Sequence, residues 1–322
     1  MSWKGKDIIS ITDFSPEDIQ EFLELTKKIK VDPAPFSRVM EGKGPGLLFF
    51  EESSRTYTSS RNAMEEMGGR VTANITPESS SVKKGEKIKG NVELAEALGS
   101  DIIVIRHPRD GSAQYAADVA DIPVINGGDG YREHPTQNLL DLFTIYEHFG
   151  RVDHLTFVFF GDLKYGRTTR VIVPLSLYPG NRFLFLSHHH VKTPEPVITL
   201  LSARGCPVEE YSDPKIFPEL LRQADVAYGS RIQKSRFPDT VEGRKQLEDV
   251  WRSGIVLSAK VLKKAKPKEG FIVMHPLPRD EDHLDITHDV DSTPWAHWVQ
   301  QMTNGLHARK GLFFLTAGGS HE

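Results

Sequence analysis

The feature that most narrows the possible folds is an alternation. Short runs rich in β-formers at 47–50, 70–75, 101–106 and 123–126 are separated by amphipathic stretches, and the pattern restarts at 156–161, 182–187, 225–229 and 271–275. Strands that must reach one another across helical connections pair in parallel, so the expectation is an α/β chain. Between the two series lies 136–149, where Leu139, Leu140, Phe143 and Ile145 recur at helical spacing; this helix is the natural bridge between two sheets. A last helical pattern, 295–314, has the length to return to the first sheet. The expected architecture is two domains, each a parallel β-sheet flanked by helices, joined by interdomain helices. Residues 1–148 and 295–322 form one domain and 149–294 the other.

Composition agrees and excludes several functions. A chain of 322 residues, 38% hydrophobic and 26% charged, is long enough for two packed domains. Its single cysteine, Cys206, has no partner for an internal disulfide, and Met1 is followed by a charged segment including Lys4, Lys6 and Asp7 rather than an apolar signal core. A cytoplasmic location is the expectation. The longest apolar stretches are strand-sized, which argues against a membrane span. A net charge of -4 with Lys and Arg spread along the chain offers no basic stripe, so no nucleic-acid partner is expected. The arginines that sit inside motifs are then the ones to inspect.

The first such motif follows the strand at 47–50. Glu51-Glu52-Ser53-Ser54-Arg55-Thr56 leads into a helix through Ala63, Met64 and Met67 that ends near Gly68-Gly69. Hydroxyls, a guanidinium and free backbone amides at one helix N-terminus suit a phosphate. In isolation the same string also reads as a serine N-cap beside a solvated arginine. Farther on, Arg106-His107-Pro108 ends one strand, and Asn126-Gly127-Gly128-Asp129-Gly130 and His134-Pro135-Thr136-Gln137 follow another. Arg106, His134 and Thr56 are donors of the kind that stabilise negative charge developing on a carbonyl oxygen.

These motifs, in this order, resemble the aspartate and ornithine carbamoyltransferase family. That family's phosphate motif is S-T-R-T, with Ser54 standing here in place of Thr. The resemblance implies that Ser53, Ser54, Arg55, Thr56, Arg106, His134 and Gln137 bind carbamoyl phosphate, with Gln137 taking the carbamoyl amide and Arg55, Thr56, Arg106 and His134 serving catalysis. Ser79-Ser80-Ser81-Val82-Lys83-Lys84-Gly85-Glu86 reads alone as a solvated loop between a strand and a helix. It is similar to the family's S-x-x-K-K-G-E loop, which implies that Ser80 and Lys84 reach a neighbouring subunit's site in a homotrimer. Ser81-Val82 replaces the Leu-Gly of close relatives.

In the second domain Gly161-Asp162-Leu163-Lys164-Tyr165-Gly166-Arg167-Thr168, Arg231-Ile232-Gln233-Lys234 and His275-Pro276-Leu277-Pro278 each follow a strand. Two arginines match an amino acid with two carboxylates. These strings resemble the aspartate-specific branch of the family, and the segments typical of the ornithine branch are absent. The resemblance implies that Arg167 and Arg231 hold the aspartate carboxylates, assisted by Gln233, the Leu277 backbone and the neighbour's Lys84. Ser235 stands where close relatives carry an acidic residue. The implied reaction carbamoylates L-aspartate, giving N-carbamoyl-L-aspartate and phosphate, a step of pyrimidine synthesis. A different amine acceptor, or a non-catalytic scaffold, are the competing readings. A regulatory chain or another enzyme of that route is a further conceivable partner.

His188-His189-His190 invites a metal reading. On a strand, however, neighbours point to opposite faces, and no Cys or carboxylate pattern joins them. The expectation is a solvated strand end or loop, and no metal or organic cofactor is required.

Overall fold

The computed structural model describes residues 3–318, the side chain of Thr168 excepted. It divides into two compact units, one formed by residues up to Glu147 together with those from Met302 onward, the other by His148–Gln301. The chain passes from one to the other within the helices Pro135–Phe149 and Trp298–Ala317.

The first unit holds β1 (Pro45–Phe49), β2 (Ala73–Ile75), β3 (Ile102–His107) and β4 (Val124–Asp129) in the order β2-β1-β3-β4, all parallel. Every residue of β1 and β4 is buried, which is why these strands read as continuous apolar or glycine-rich runs rather than as alternations. On one face Leu48, Ile103, Ile105 and Val124 pack with Val92 and Ala95 of the helix Ile88–Ala97 and with Ala113 and Ala116 of Ser112–Val119. β2 is shorter than the pattern at 70–75 implied. It pairs from Ala73, opposite Gly46, because β1 begins at Pro45 and has no earlier strand residue to offer.

The last helix does return to this unit. Asn304 accepts from Lys30 Nζ at 2.8 Å and donates to Thr144 Oγ1 at 3.1 Å, and Lys310 pairs with Glu66 at 2.6 Å. It starts at Trp298, three residues later than expected. Val273 N–H donates to Trp295 O and His297 N–H to Val273 O, so residues 295–297 are committed to a bridge with the second sheet.

The second unit holds β5 (Thr156–Gly161), β6 (Arg182–Leu186), β7 (Val208–Tyr211), β8 (Val226–Ser230) and β9 (Ile272–Met274), in the parallel order β7-β6-β5-β8-β9. β7 was not anticipated from sequence. It is a four-residue edge strand carrying Glu209 and Glu210, only half-buried, and such charged short edges lack the apolar signal of a central strand. One face of the sheet buries Val158, Phe160, Leu184, Leu186 and Val273 against Phe217, Leu220, Leu221 and Leu262. On the other, the rings of Phe157, Phe159, Phe183, Phe185 and Tyr228 pack as close as 5.3 Å between centroids.

Each sheet reverses its winding once: between β1 and β3 in the first and between β5 and β8 in the second. At such a reversal the loops leaving two adjacent strands diverge to opposite faces and open a crevice at the strands' carboxyl ends. The motifs of the sequence lie at the carboxyl ends of strands or in the loops and helix starts beyond them, with Arg106-His107 closing β3 and Asn126 to Asp129 forming the end of β4. Among the described residues, no helix is long and apolar enough to cross a membrane.

Candidate active site

In the first unit, β1 runs through Phe50 to Ser53 into the helix Ser54–Glu65. Ser53 is the N-cap by its extended backbone, yet its hydroxyl makes no capping bond, and no acidic residue lies in the first turn. Ser53 therefore caps the helix by its backbone and leaves its hydroxyl uncommitted. The orphan amides of the first turn and the positive end of the helix remain available to an anion. Ser54 and Arg55 are exposed, and neither side chain has a partner among the described residues.

Beside this turn lies a buried polar relay. Thr56 Oγ1 is 3.4 Å from His134 Nε2, and Thr136 Oγ1 is 3.2 Å from His134 Nδ1. Arg309 Nη2 donates to that same Thr136 oxygen at 3.3 Å. Because Arg309 is a donor only, the Thr136 hydroxyl is free to give its proton to Nδ1. In the neutral ring this leaves Nε2–H as a donor directed to the Thr56 side. Arg309 also donates to Gly305 O at 2.8 Å. Burial first, and the nearby Arg106 second, push its pKa down to about 10.

Arg106, at the end of β3, donates to Gly127 O at 3.3 Å and lies 3.3 Å from Glu51. Asn126 shapes the neighbouring turn, accepting from Gly128 N at 2.8 Å while donating to Ile9 O and Asp129. Gln137 donates its amide NH2 to Asp141 at 2.9 Å, which turns its carbonyl oxygen away from Asp141 and leaves it as an acceptor. Thr56, Arg106 and His134 are thus brought together with the helix start.

Ser80 and Lys84 are not tied to this group. They lie in a single helical turn, Ser80–Lys83 with Lys84 as its C-cap, where the sequence suggested an irregular loop. Ser81 Oγ donates to Asn91 at 3.1 Å and Val82 packs against the first core, so the turn is anchored by the two residues in which it departs from the family motif. Both Ser80 and Lys84 are exposed, and the Lys84 ammonium has no ion-pair partner among the described residues.

In the second unit one carboxylate organises the site. Asp162, fully buried, accepts from Lys164 N at 3.2 Å and Tyr165 N at 2.8 Å through one oxygen and from Gln233 N at 3.0 Å through the other. It therefore joins the loop after β5, which carries Arg167, to the loop after β8, which carries Arg231 and Gln233. Burial raises its pKa against the pull of these three N–H donors. A Cβ on Gly161 would stand 2.2 Å from Ser230 O and one on Gly166 2.3 Å from Ser230 Oγ, so both positions demand glycine for the loops to approach. Gln233 Nε2 donates to Arg231 O at 3.3 Å, while the Arg231 guanidinium, half-exposed, has no ion-pair partner among the described residues. Ser235 beside it is exposed and supplies none.

The third motif is held by His275. Its Nδ1 accepts from Leu277 N at 2.9 Å and its Nε2 lies 3.0 Å from Asp285, both side chains being buried. Leu277 consequently adopts φ +52°, a left-handed conformation that costs a non-glycine residue roughly 1–2 kcal/mol. Lys234 pairs with Asp280 at 2.8 Å just beyond this turn. Burial works against the Asp280 charge, but Lys234 outweighs it and holds the carboxyl below its ordinary range.

Sequence reasoning had not assigned roles to Arg309, Asp162, His275 or Asp285. The available signal was a charged or polar residue inside a run destined for burial, adjacent to a motif rather than within its ligand set.

Comparison with known proteins places both units. Residues 6–147 match the family model for the aspartate/ornithine carbamoyltransferase carbamoyl-P binding domain, and residues 153–316 match that for the Asp/Orn binding domain. The aspartate carbamoyltransferase catalytic subunit of Thermococcus onnurineus is 41% identical over 322 residues, covering 99% of each chain. That of Haloarcula marismortui is 39% identical, over 97% of this chain and 98% of the relative. Among solved structures, Trypanosoma cruzi aspartate transcarbamoylase in complex with carbamoyl phosphate and aspartate superposes with a TM-score of 0.88 at 32% identity, covering 98% of this chain and 97% of that one.

Proposed function

The chain belongs to the aspartate/ornithine carbamoyltransferase family, and we propose that it transfers the carbamoyl group of carbamoyl phosphate to the amino group of L-aspartate, giving N-carbamoyl-L-aspartate and phosphate. The observation that carries this reading is the uncapped start of the helix Ser54–Glu65 beside the His134 relay. A phosphate has helix amides, Ser53, Ser54, Arg55 and Thr56 to bind, and a carbonyl oxygen has Thr56, His134 and Arg106 within the same cluster.

In the mechanism, the phosphate group of carbamoyl phosphate binds the helix start, and Gln137 accepts from the carbamoyl NH2. The unprotonated amine of aspartate attacks the carbonyl carbon. Negative charge collects on the carbonyl oxygen, where His134 Nε2–H, Arg106 and the Thr56 hydroxyl stabilise it without having to reorganise. The C–O bond to phosphate then breaks, and the leaving phosphate, stabilised by Arg55, Ser53 and the helix dipole, is basic enough to take the amine proton. No protein base is needed. Arg167 and Arg231 hold the two aspartate carboxylates, with Gln233 and the Leu277 backbone orienting the amine.

Ser80 and Lys84 act in a neighbouring subunit's site in a homotrimer; an exposed, unpaired ammonium on an anchored turn supports that role. The enzyme works in the cytoplasm in pyrimidine synthesis, and a regulatory chain is a possible addition to the trimer. Incubating the purified chain with carbamoyl phosphate and either L-aspartate or L-ornithine tests the central reaction. Carbamoylated product with aspartate alone is the expected result, whereas product with ornithine alone, or with neither, contradicts it.

A further inference from the structure

The three adjacent histidines lie in a turn just past the end of a strand. β6 stops at Leu186, His188 caps a 3-10 turn by its backbone and its Nδ1, and His189–Val191 form that turn. The turn undoes the alternation that would have separated the rings. Their centroids lie 4.0 Å apart for His188 and His189, 4.0 Å for His189 and His190, and 5.0 Å for His188 and His190. One ring nitrogen from each lies within 4.8 Å of the others.

Two nitrogens on one tetrahedral zinc, each about 2.0–2.1 Å from the metal, stand about 3.4 Å apart. Modest rotation of exposed or half-exposed rings closes the difference. The His190 N–H occupies His188 Nδ1 at 3.4 Å, which leaves His188 Nε2 as its ligand atom.

The surroundings fit a cation. The turn packs against the helix Val241–Trp251, on which Glu242 and Asp249, seven residues apart, share one face. Burial and repulsion from neighbouring histidines lower the His188 and His190 pKa values; Asp249 opposes this at both rings and Glu242 at His190, while Lys164 adds to the lowering at His190. Imidazole nitrogens with a carboxylate close by suit a borderline-soft divalent cation. His188 also lines a cavity of about 220 Å³ with Trp251 and His283, which gives an ion a way in.

We propose that His188, His189 and His190 bind one divalent transition-metal ion of the zinc, nickel or copper class, with Asp249 completing or complementing the charge of the site. This goes beyond carbamoyl transfer and does not depend on it. Val191 O accepts from Leu163 N at 3.0 Å, so an ion here would brace the turn that supports the loop leading to Arg167 and fasten it to the helix following Arg231 and Gln233.

The test uses the full chain, stripped with chelator and titrated with Zn2+ by calorimetry, with Co2+ absorption reporting nitrogen ligation. Saturation at one ion per chain is expected, together with a rise in Tm on adding Zn2+. His189→Gln and the triple histidine-to-glutamine variant should lose this binding and the Tm rise, and Asp249→Asn should weaken it by about tenfold. Because these side chains are outside the core, the variants should keep the ion-free Tm of the parent. Absence of saturable binding, or binding undiminished in the triple variant, would overturn the proposal; so would loss of binding only when Cys206 is replaced.

Discussion

The two units build their candidate sites in different ways. The first unit's is distributed over a buried relay, Arg309 to Thr136 to His134 to Thr56, beside a helix start whose amides are already aligned. The second unit's relies on anchors within loops: the Asp162 carboxylate ties the segment of Arg167 to the loop of Gln233, and His275 accepts from the Leu277 N–H. Pre-aligned backbone dipoles lose little on binding an anion. Two half-exposed arginines on loops must be kept in register by whatever anchors those loops. The difference teaches that damage to one buried group should be graded in the first unit and severe in the second.

Asp162→Ala is the sharpest break. It leaves three N–H groups without an acceptor, each worth roughly 1–3 kcal/mol when buried, so kcat/KM for aspartate should fall on the order of a thousandfold. Steady-state kinetics with aspartate varied would check this, and a fall of less than tenfold would mean the loops hold their register without it. His134→Ala removes one oxyanion donor and should lower kcat by about a hundredfold while the aspartate KM changes little. Thr136→Val keeps the shape but removes the hydroxyl that fixes the His134 tautomer. A loss of about tenfold in kcat is expected, since other donors remain. The smallest effect belongs to Ser235→Glu, which places a carboxylate near Arg231; a half-exposed pair is worth roughly 0.2–1 kcal/mol, so the aspartate KM should change by a few-fold at most.

A pH experiment separates the units differently. Burial first, then Lys310 and Lys30, lower the His307 pKa to about 4 in the folded first unit. The unfolded chain takes up that proton near pH 6.5, so protons favour unfolding and the first unit loses stability as the pH falls from about 6.5 to 4. His307→Gln should flatten that loss in acid-unfolding curves, and an unchanged slope would remove His307 from the account.

The parallel α/β order was legible in the sequence because buried strands such as 47–50 and 156–161 are apolar throughout and the helices between them are periodic. The edge strand Val208–Tyr211 was not, since two of its four residues are glutamates. The candidate charged ligands Arg55, Arg167 and Arg231 stand out in the sequence because each follows a strand inside a motif. The groups that position them do not: Arg309 lies inside a helix, and Asp162 and His275 owe their roles to contacts with residues far along the chain. That the three histidine rings cluster was not legible, because the turn that gathers them begins only after the strand has ended.

The central claim is that the first unit's phosphate site stands independently of the anchor in the second. Calorimetric titration of inorganic phosphate into the parent chain and into Asp162→Ala measures it most directly. The account predicts the same Kd within about two-fold, as for sites that share no hydrogen-bond partner. A loss of phosphate affinity in Asp162→Ala comparable to its loss of aspartate kcat/KM would contradict it.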